Sequence, residues 1–467
     1  MEQSGSNEFA QEIWRKDRDH FVHPWTHFDS FKKEGSLVMA EAGGVHIWDI
    51  DGKKYLDGIG GLWCMNVGYG REEIVEAMAD QARKMVYANP FVDVTNIPAA
   101  ELAAKLAEIA PGSLNHTMFS CGGSTANDTA FRLIGYYWHC RNQPQRVHYI
   151  ARKESYHGST YVAQSLTGKT ADRQPEFTYI NDTIHHISSP NPYRRPDGMS
   201  VEDFTDSLIQ EFEDKIKELG TDKVAAFFAE PIMGAGGVIV APEGYLQCMH
   251  EVCTKYGILF VADEVVTAFG RLGAWFSAKD VFGVQPDIIT CAKGLTSGYQ
   301  PLGATIFSKE IYDTISEEGH DRWFTNGFTY SGHPVACAAA LKNIEIMERE
   351  DLFAHVRDVG PYFMERLSTL KDLPTVGEVR GMHLMVCIEN IANKETKELL
   401  PDEVNIGKRI ANAAEERGLI IRPVGHLNIM SPPLTITRAQ CDEVVDILRE
   451  SMLSVIEDLK SEGIELI

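Results

Sequence analysis

From residue 117 onward the chain alternates short apolar runs with longer stretches of helical periodicity. The runs are HTMFSC, VHYIAR, AAFFAEP, GILFVADEV and DIITCAK. Helical spacing recurs near 124–141, 201–219, 243–256 and 334–350. Apolar runs separated by amphipathic helices predict βαβ units, hence a mainly parallel sheet with helices on both faces. Ahead of them lie VHIWDIDGKKYLDGIGGLW, a hairpin pattern turning at Asp51-Gly52, and helical patterns at 71–86 and 98–110. After about residue 350 the rhythm changes. A helix near 351–370 leads into VGEVRGMHLMVCIEN, which alternates as antiparallel strands do; helices near 404–417 and 437–461 flank the strand-like GLIIRPV. The division expected is a large α/β domain over 66–335 and a smaller α+β domain built from both chain ends, residues 1–65 and 336–467. A chain of 467 residues is long enough for more than one core.

Composition narrows the partners. The formal net charge is −23, which argues against nucleic acid and anionic membrane surfaces. The first residues mix charges and lack the apolar stretch of a secretory leader, and no apolar window is long enough to span a bilayer. Nine cysteines, an odd count without a C-x-x-C pair, fit free thiols in the cytoplasm. His20, His23 and His27 are closely spaced, but no acidic or cysteine motif accompanies them, so no metal site is expected.

In open parallel sheets, ligands sit beyond the carboxyl ends of strands. The run MFSC ends in CGGSTAND, where Gly122, Gly123, Ser124 and Thr125 open a helix; glycines and hydroxyls there suit an anion. Thr125 with Asp128 also reads as a capping box, the structural alternative. Tyr156 and His157 follow another run and could stack on a flat ring. Glu230 precedes Pro231 and a glycine-rich loop. Asp263 and Glu264 end one run, and Lys293 ends the next, 30 residues after Asp263. A lysine there either reaches solvent or is a buried amine of lowered basicity, fit for Schiff-base chemistry. An anion nest, an aromatic face, an aspartate and an amine are together what a pyridine aldehyde phosphate requires.

These segments resemble the class III aminotransferases that use pyridoxal 5′-phosphate, of fold type I. The likeness runs nearly end to end, through DGIGGLWCMNVGYG, GGSTANDTA, SYHGST, AEPIMGAGG, VADEVVTAFGR, PDIITCAKGLTSGYQPLGA, GFTYSGHPVACAAAL and GLIIRPVG. The subgroup it looks most like is the ω-amino acid (amine):pyruvate aminotransferases. The resemblance implies Lys293 as Schiff-base lysine and proton shuttle, and Asp263 as partner of the ring nitrogen. Val265 would lie under the ring and Tyr156 over it, with His157 beside. Gly123 and Ser124 would hold the phosphate, joined by Thr329 from the neighbouring subunit of a homodimer with shared sites, alone or as a dimer of dimers. Glu230 would belong to the cofactor network. Leu62, Trp63, Trp25 and Phe91 would line the substrate pocket, and Arg422 would take a substrate carboxylate. Thr125 stands where many relatives carry Glu. Ala235 stands where ornithine- and 4-aminobutyrate-type relatives carry the Glu that pairs with that arginine, which favours a small keto acid such as pyruvate.

The activity implied moves an amino group from an ω-amino acid or primary amine (β-alanine- or taurine-like, a diamine, or an aryl-alkyl amine) to pyruvate, giving alanine and an aldehyde or ketone. Decarboxylation, an aminomutase shift and 2-oxoglutarate as acceptor are the alternatives on the same fold. A dinucleotide oxidoreductase lacks its glycine fingerprint here, and a non-catalytic paralogue would not need both Lys293 and Asp263.

Overall fold

The computed structural model describes residues 8–319, 321–464 and 466. The chain's first seven residues, read above as lacking an apolar leader, lie outside the described residues. The first strands are β1 (Met39–Gly43), β2 (His46–Asp49) and β3 (Lys54–Asp57), an antiparallel meander. Asp49 Oδ1 accepts from the backbone N–H of Asp51 and Lys53, and Gly52 takes φ 83°, so the expected turn is closed by a carboxylate.

Seven strands form the central sheet: β4 (Leu114–Ser120), β5 (His148–Arg152), β6 (Ile184–Ile187), β7 (Val224–Ala229), β8 (Leu259–Asp263), β9 (Ile288–Cys291) and β10 (Gly303–Ser308). Their order is β4-β10-β9-β8-β7-β5-β6. Every pairing is parallel except those of β10, which runs against both its neighbours. Each residue of β7, β8 and β9 is buried, as strands covered on both faces must be. The apolar runs locate five strands. β6 escapes that reading because its four residues are IHHI, and β10 because GATIFS continues a glycine-rich loop.

The last sheet is antiparallel, built from β11 (Val376–Met382), β12 (Met385–Asn390), β14 (Arg422–Val424) and β15 (Leu427–Met430), in the order β11-β12-β15-β14. The strand expected over GLIIRPV is broken in two. Its first half, β13 (Leu419–Ile420), pairs in parallel with β3; its second half, β14, pairs with β15. Pro423 has no N–H to donate, which suits β14's place at a sheet edge. Arg422 therefore opens β14 and does not lie within one continuous strand.

One apolar core runs from Val67 to Leu352; another joins Val45 and Leu56 to residues 356–459. The helix Pro334–Arg349, mostly beyond the 335/336 boundary expected from the sequence, packs into the first of these.

Candidate active site

Asp263 is the last residue of β8, and it is almost fully buried. Its Oδ1 accepts from the Val265 N–H at 3.1 Å. Its Oδ2 accepts from Asn127 Nδ2 at 2.8 Å and lies 2.7 Å from His157 Nδ1, so that ring nitrogen carries the proton. Asn127 also donates to His157 O and accepts from the Thr290 hydroxyl, which joins the helix Gly123–Cys140 to β9 and to the Tyr156 loop. Glu264, next along, points elsewhere. It accepts from Thr267, Ser277 and Ala278 and makes no ion pair among the described residues.

Lys293 follows β9 with φ 43°, in the left-handed region that a non-glycine residue occupies only under strain. Its half-buried amine has no hydrogen-bond or ion-pair partner among the described residues. Burial lowers its pKa below the usual lysine range; Cys64, Asp263 and Glu230 oppose that, and the Arg422 cation reinforces it.

The helix that follows β4 starts at Gly123, with Gly122 as its N-cap. A Cβ at Gly123 would come within 2.8 Å of Val265 Cγ1, and one at Gly158, where φ is 135°, within 2.7 Å of the Ser124 Cα. Glycine at both positions lets three chain segments converge around the free N–H groups of the first helical turn. Ser124 Oγ accepts from the Ser159 N–H at 3.1 Å. The capping box weighed for Thr125 and Asp128 is absent. Thr125 donates to Gly122 O, and Asp128 accepts from Thr160 and Ala163, because the helix begins three residues earlier than that box requires.

Glu230 Oε1 accepts from the Tyr156 N–H at 3.0 Å and Oε2 from the Gly234 N–H at 2.8 Å. Burial raises its pKa; the His157 charge and both N–H groups oppose this, while the Asp263 charge adds to it.

Most of the site residues open on one cavity of about 300 Å³. Gly123, Ser124, Tyr156, His157, Glu230, Asp263, Val265 and Lys293 line it, as do Trp25, Leu62, Trp63, Ala235 and Arg422. Phe91, expected as a pocket neighbour, stands outside it, 48% exposed and against Gly327. Thr329 is outside too, its carbonyl accepting from Tyr87 Oη at 3.0 Å. Both are exposed loop residues that do not line the cavity of their own chain.

Two residues here had no signal of their own in the sequence. Asn127 looks like any polar position within a helix. Asp172 lies in an irregular stretch, yet its charge acts on Arg422 across the cavity. Ala235 lines the same cavity, and Arg422 has no ion-pair partner among the described residues, although the Asp172 charge reaches it. Burial lowers the Arg422 pKa, and the charges of Tyr156 and Asp172 oppose the shift. Among the described residues no His, Cys, Asp and Glu group is arranged to hold a metal, and all nine cysteines are free.

An unpartnered amine, a buried carboxylate fixed by three donors, and a helix start cleared by glycines fit a flat ring that bears an aldehyde and a phosphate. The family model for class-III aminotransferases matches residues 30–452. A putrescine–pyruvate aminotransferase of Pseudomonas aeruginosa is 42% identical over 437 residues, 93% of this chain and 94% of that one. The solved (S)-enantioselective omega-transaminase of Thermomicrobium roseum is 42% identical with a TM-score of 0.92, over 96% of this chain and 98% of its own. An omega-transaminase of Pseudomonas jessenii, solved in complex with PMP, is 33% identical with a TM-score of 0.89, over 96% and 98%.

Proposed function

This chain belongs to the class-III aminotransferases, which depend on pyridoxal 5′-phosphate, and on that premise we propose that it moves the amino group of an ω-amino acid or primary amine to pyruvate, giving alanine and an aldehyde or ketone. One observation carries the reading: the unpartnered Lys293 amine and the Asp263 carboxylate, held by three donors, face the same cavity.

When bound, the cofactor supplies the electron sink that lets a C–H bond beside nitrogen break. Lys293 would anchor it covalently, and the Gly123–Ser124 turn would hold its phosphate with backbone N–H groups. Asp263 would keep the ring nitrogen protonated, with Asn127 and His157 fixing its oxygen. Val265 and Tyr156 would confine the ring from its two faces. Glu230 acts one step back, clamping Tyr156 and Gly234 in place. Lys293 Nζ, disposed by burial toward its neutral form, takes the proton from the nitrogen-bearing carbon of the donor. In the second half-reaction it returns a proton to the carbon that becomes the α-carbon of alanine. A positioned base of this kind contributes roughly 10²–10⁴-fold. Arg422 would bind the pyruvate carboxylate, and Leu62, Trp63 and Trp25 would enclose the donor.

The functional unit in this proposal is a cytoplasmic homodimer. The exposed apolar residues Val86, Val92, Trp323 and Tyr330 belong to the same loops as Phe91 and Thr329 and support a second copy covering them. The partner subunit's Thr329 would then complete the phosphate site. No helix among the described residues is long and apolar enough to cross a membrane.

A donor panel against pyruvate and 2-oxoglutarate tests the activity. Alanine formed in step with aldehyde or ketone, without carbon dioxide, is the expected result. Carbon dioxide release, or glutamate as the preferred product, would overturn it.

A further inference from the structure

The cavity holds one carboxylate for which transamination has no use. Asp172 ends the short turn Thr170–Asp172, and its side chain is 6% exposed. Oδ1 is engaged by Lys169 Nζ at 3.0 Å and by Trp25 Nε1 at 3.4 Å. Oδ2 accepts no hydrogen bond among the described residues, although the side chain lines the cavity. Trp25 stands at the cavity wall with φ 55°, and its ring meets Tyr156 edge-on at 5.9 Å between centroids.

A free carboxylate oxygen beside the Trp25 ring, in a cavity that Tyr156 also lines, suits an alkylammonium group, which gains a charge-assisted hydrogen bond and an aromatic neighbour. A carboxylate tail at the same place would be repelled. Lys169 engages Oδ1 and is not among the cavity-lining residues, so Oδ2 is the oxygen left for a ligand in the cavity.

We infer that Asp172, framed by Trp25 and Tyr156, selects the donor by binding the distal ammonium of an α,ω-diamine while its other amine is transferred. The inference rests on the aminotransferase reading of this cavity. Two opposite charges then sort the two substrates: the cationic tail of the donor goes to Asp172, and the carboxylate of the acceptor to Arg422. Because the half-reactions alternate, one cavity serves both without rearranging its charges.

The test compares 1,4-diaminobutane, 1-aminobutane and 4-aminobutanoate as donors to saturating pyruvate, using the cofactor-loaded enzyme. The native enzyme should prefer the diamine to the monoamine. Asp172→Asn, which keeps an acceptor for Trp25, should lower the diamine-to-monoamine ratio of kcat/KM about 10–150-fold, mainly through KM. It should also raise the standing of 4-aminobutanoate relative to the monoamine, and Asp172→Glu should recover part of the diamine preference. A ratio that stays fixed while both donors decline would make Asp172 purely structural and overturn the inference; so would a native enzyme indifferent to the second amine. Should neither the monoamine nor L-alanine change the cofactor spectrum, the aminotransferase reading itself would fall, an outcome distinct from loss of diamine preference alone.

Discussion

Asn127 and Asp263 lie 136 residues apart in the chain, yet the amide of one donates to the carboxylate of the other at 2.8 Å. Asn127 touches no reacting atom in the scheme proposed here, so it is a positioning residue. Asn127→Ala should lower kcat about tenfold or more, leave KM little changed, and shift the pH dependence of the cofactor's visible absorbance. It also leaves the Thr290 hydroxyl and the His157 carbonyl without a buried partner, at about 1–3 kcal/mol each, which thermal unfolding would show. Asp263→Asn should cost more, about 10²–10³-fold in turnover. Equal effects on kcat and KM from the Asn127 change would point to general disorder instead.

Lys293 carries two separate expectations. Borohydride reduction of the loaded protein, followed by peptide mapping, should find the pyridoxyl group on Lys293 and on no other lysine. Its lowered pKa also has a defined effect on stability. The folded state binds this proton less tightly than the unfolded state does, so the residue detracts from stability below its folded pKa. The penalty fades as pH rises from there to about 10.4, the ordinary lysine value. In the cofactor-free protein, Lys293→Met should therefore raise Tm at pH 7, and the gain should shrink toward pH 10. A gain independent of pH would mean that packing, not charge, is responsible.

Arg422 separates the two half-reactions. If its guanidinium clamps the keto-acid carboxylate, Arg422→Ala should slow the pyruvate half about 10–150-fold and spare the amine half far more. Arg422→Lys should rescue poorly, because a lysine lacks the planar fork. Single-turnover absorbance reads each half alone, and equal losses in both would make the arginine structural. Ala235→Glu should place a carboxylate in the same cavity and weaken pyruvate use; unchanged pyruvate kinetics would show that the two positions do not communicate.

The exposed position of Thr329 gives a test of shared sites. Lys293→Ala and Thr329→Ala protomers, each inactive or severely impaired alone, should regain activity when mixed and allowed to exchange. Full activity in a verified monomer would remove any role for a second copy.

What the sequence displays is what depends on near neighbours. Asp263 and Lys293 stand out because each interrupts an apolar run at its end, and paired glycines ahead of a helix mark its start. The hairpin is legible because Asp51-Gly52 is itself a turn signal, and the Asp49 carboxylate two residues before Asp51 closes the turn. Asn127 and Asp172 stay silent because their meaning comes from what lies across the fold, the strand ends in one case and Arg422 in the other. The break at Ile421 belongs to the same class. Its apolar pattern suits a single strand, and only the presence of two different sheets, one for β13 and one for β14, divides it. Thr125 and Asp128 show the converse: local spacing suggests a cap, while the glycines ahead of them have already started the helix.

The antiparallel strand β10 ties the site to the order in which the chain is made. β4 is a sheet edge whose single strand neighbour is β10, and Thr305 on β10 donates to Ala126 O, in the helix that carries the anion nest, across 179 residues. At typical synthesis rates of 5–20 residues per second, β4 emerges roughly 10–40 s before that neighbour exists. For that interval its backbone is an open edge able to pair with any passing strand. Ribosome stalling or truncation between residues 120 and 303 would therefore release chains that aggregate instead of folding, and the Gly123–Ser124 end of the candidate site is completed among the last parts of the central sheet.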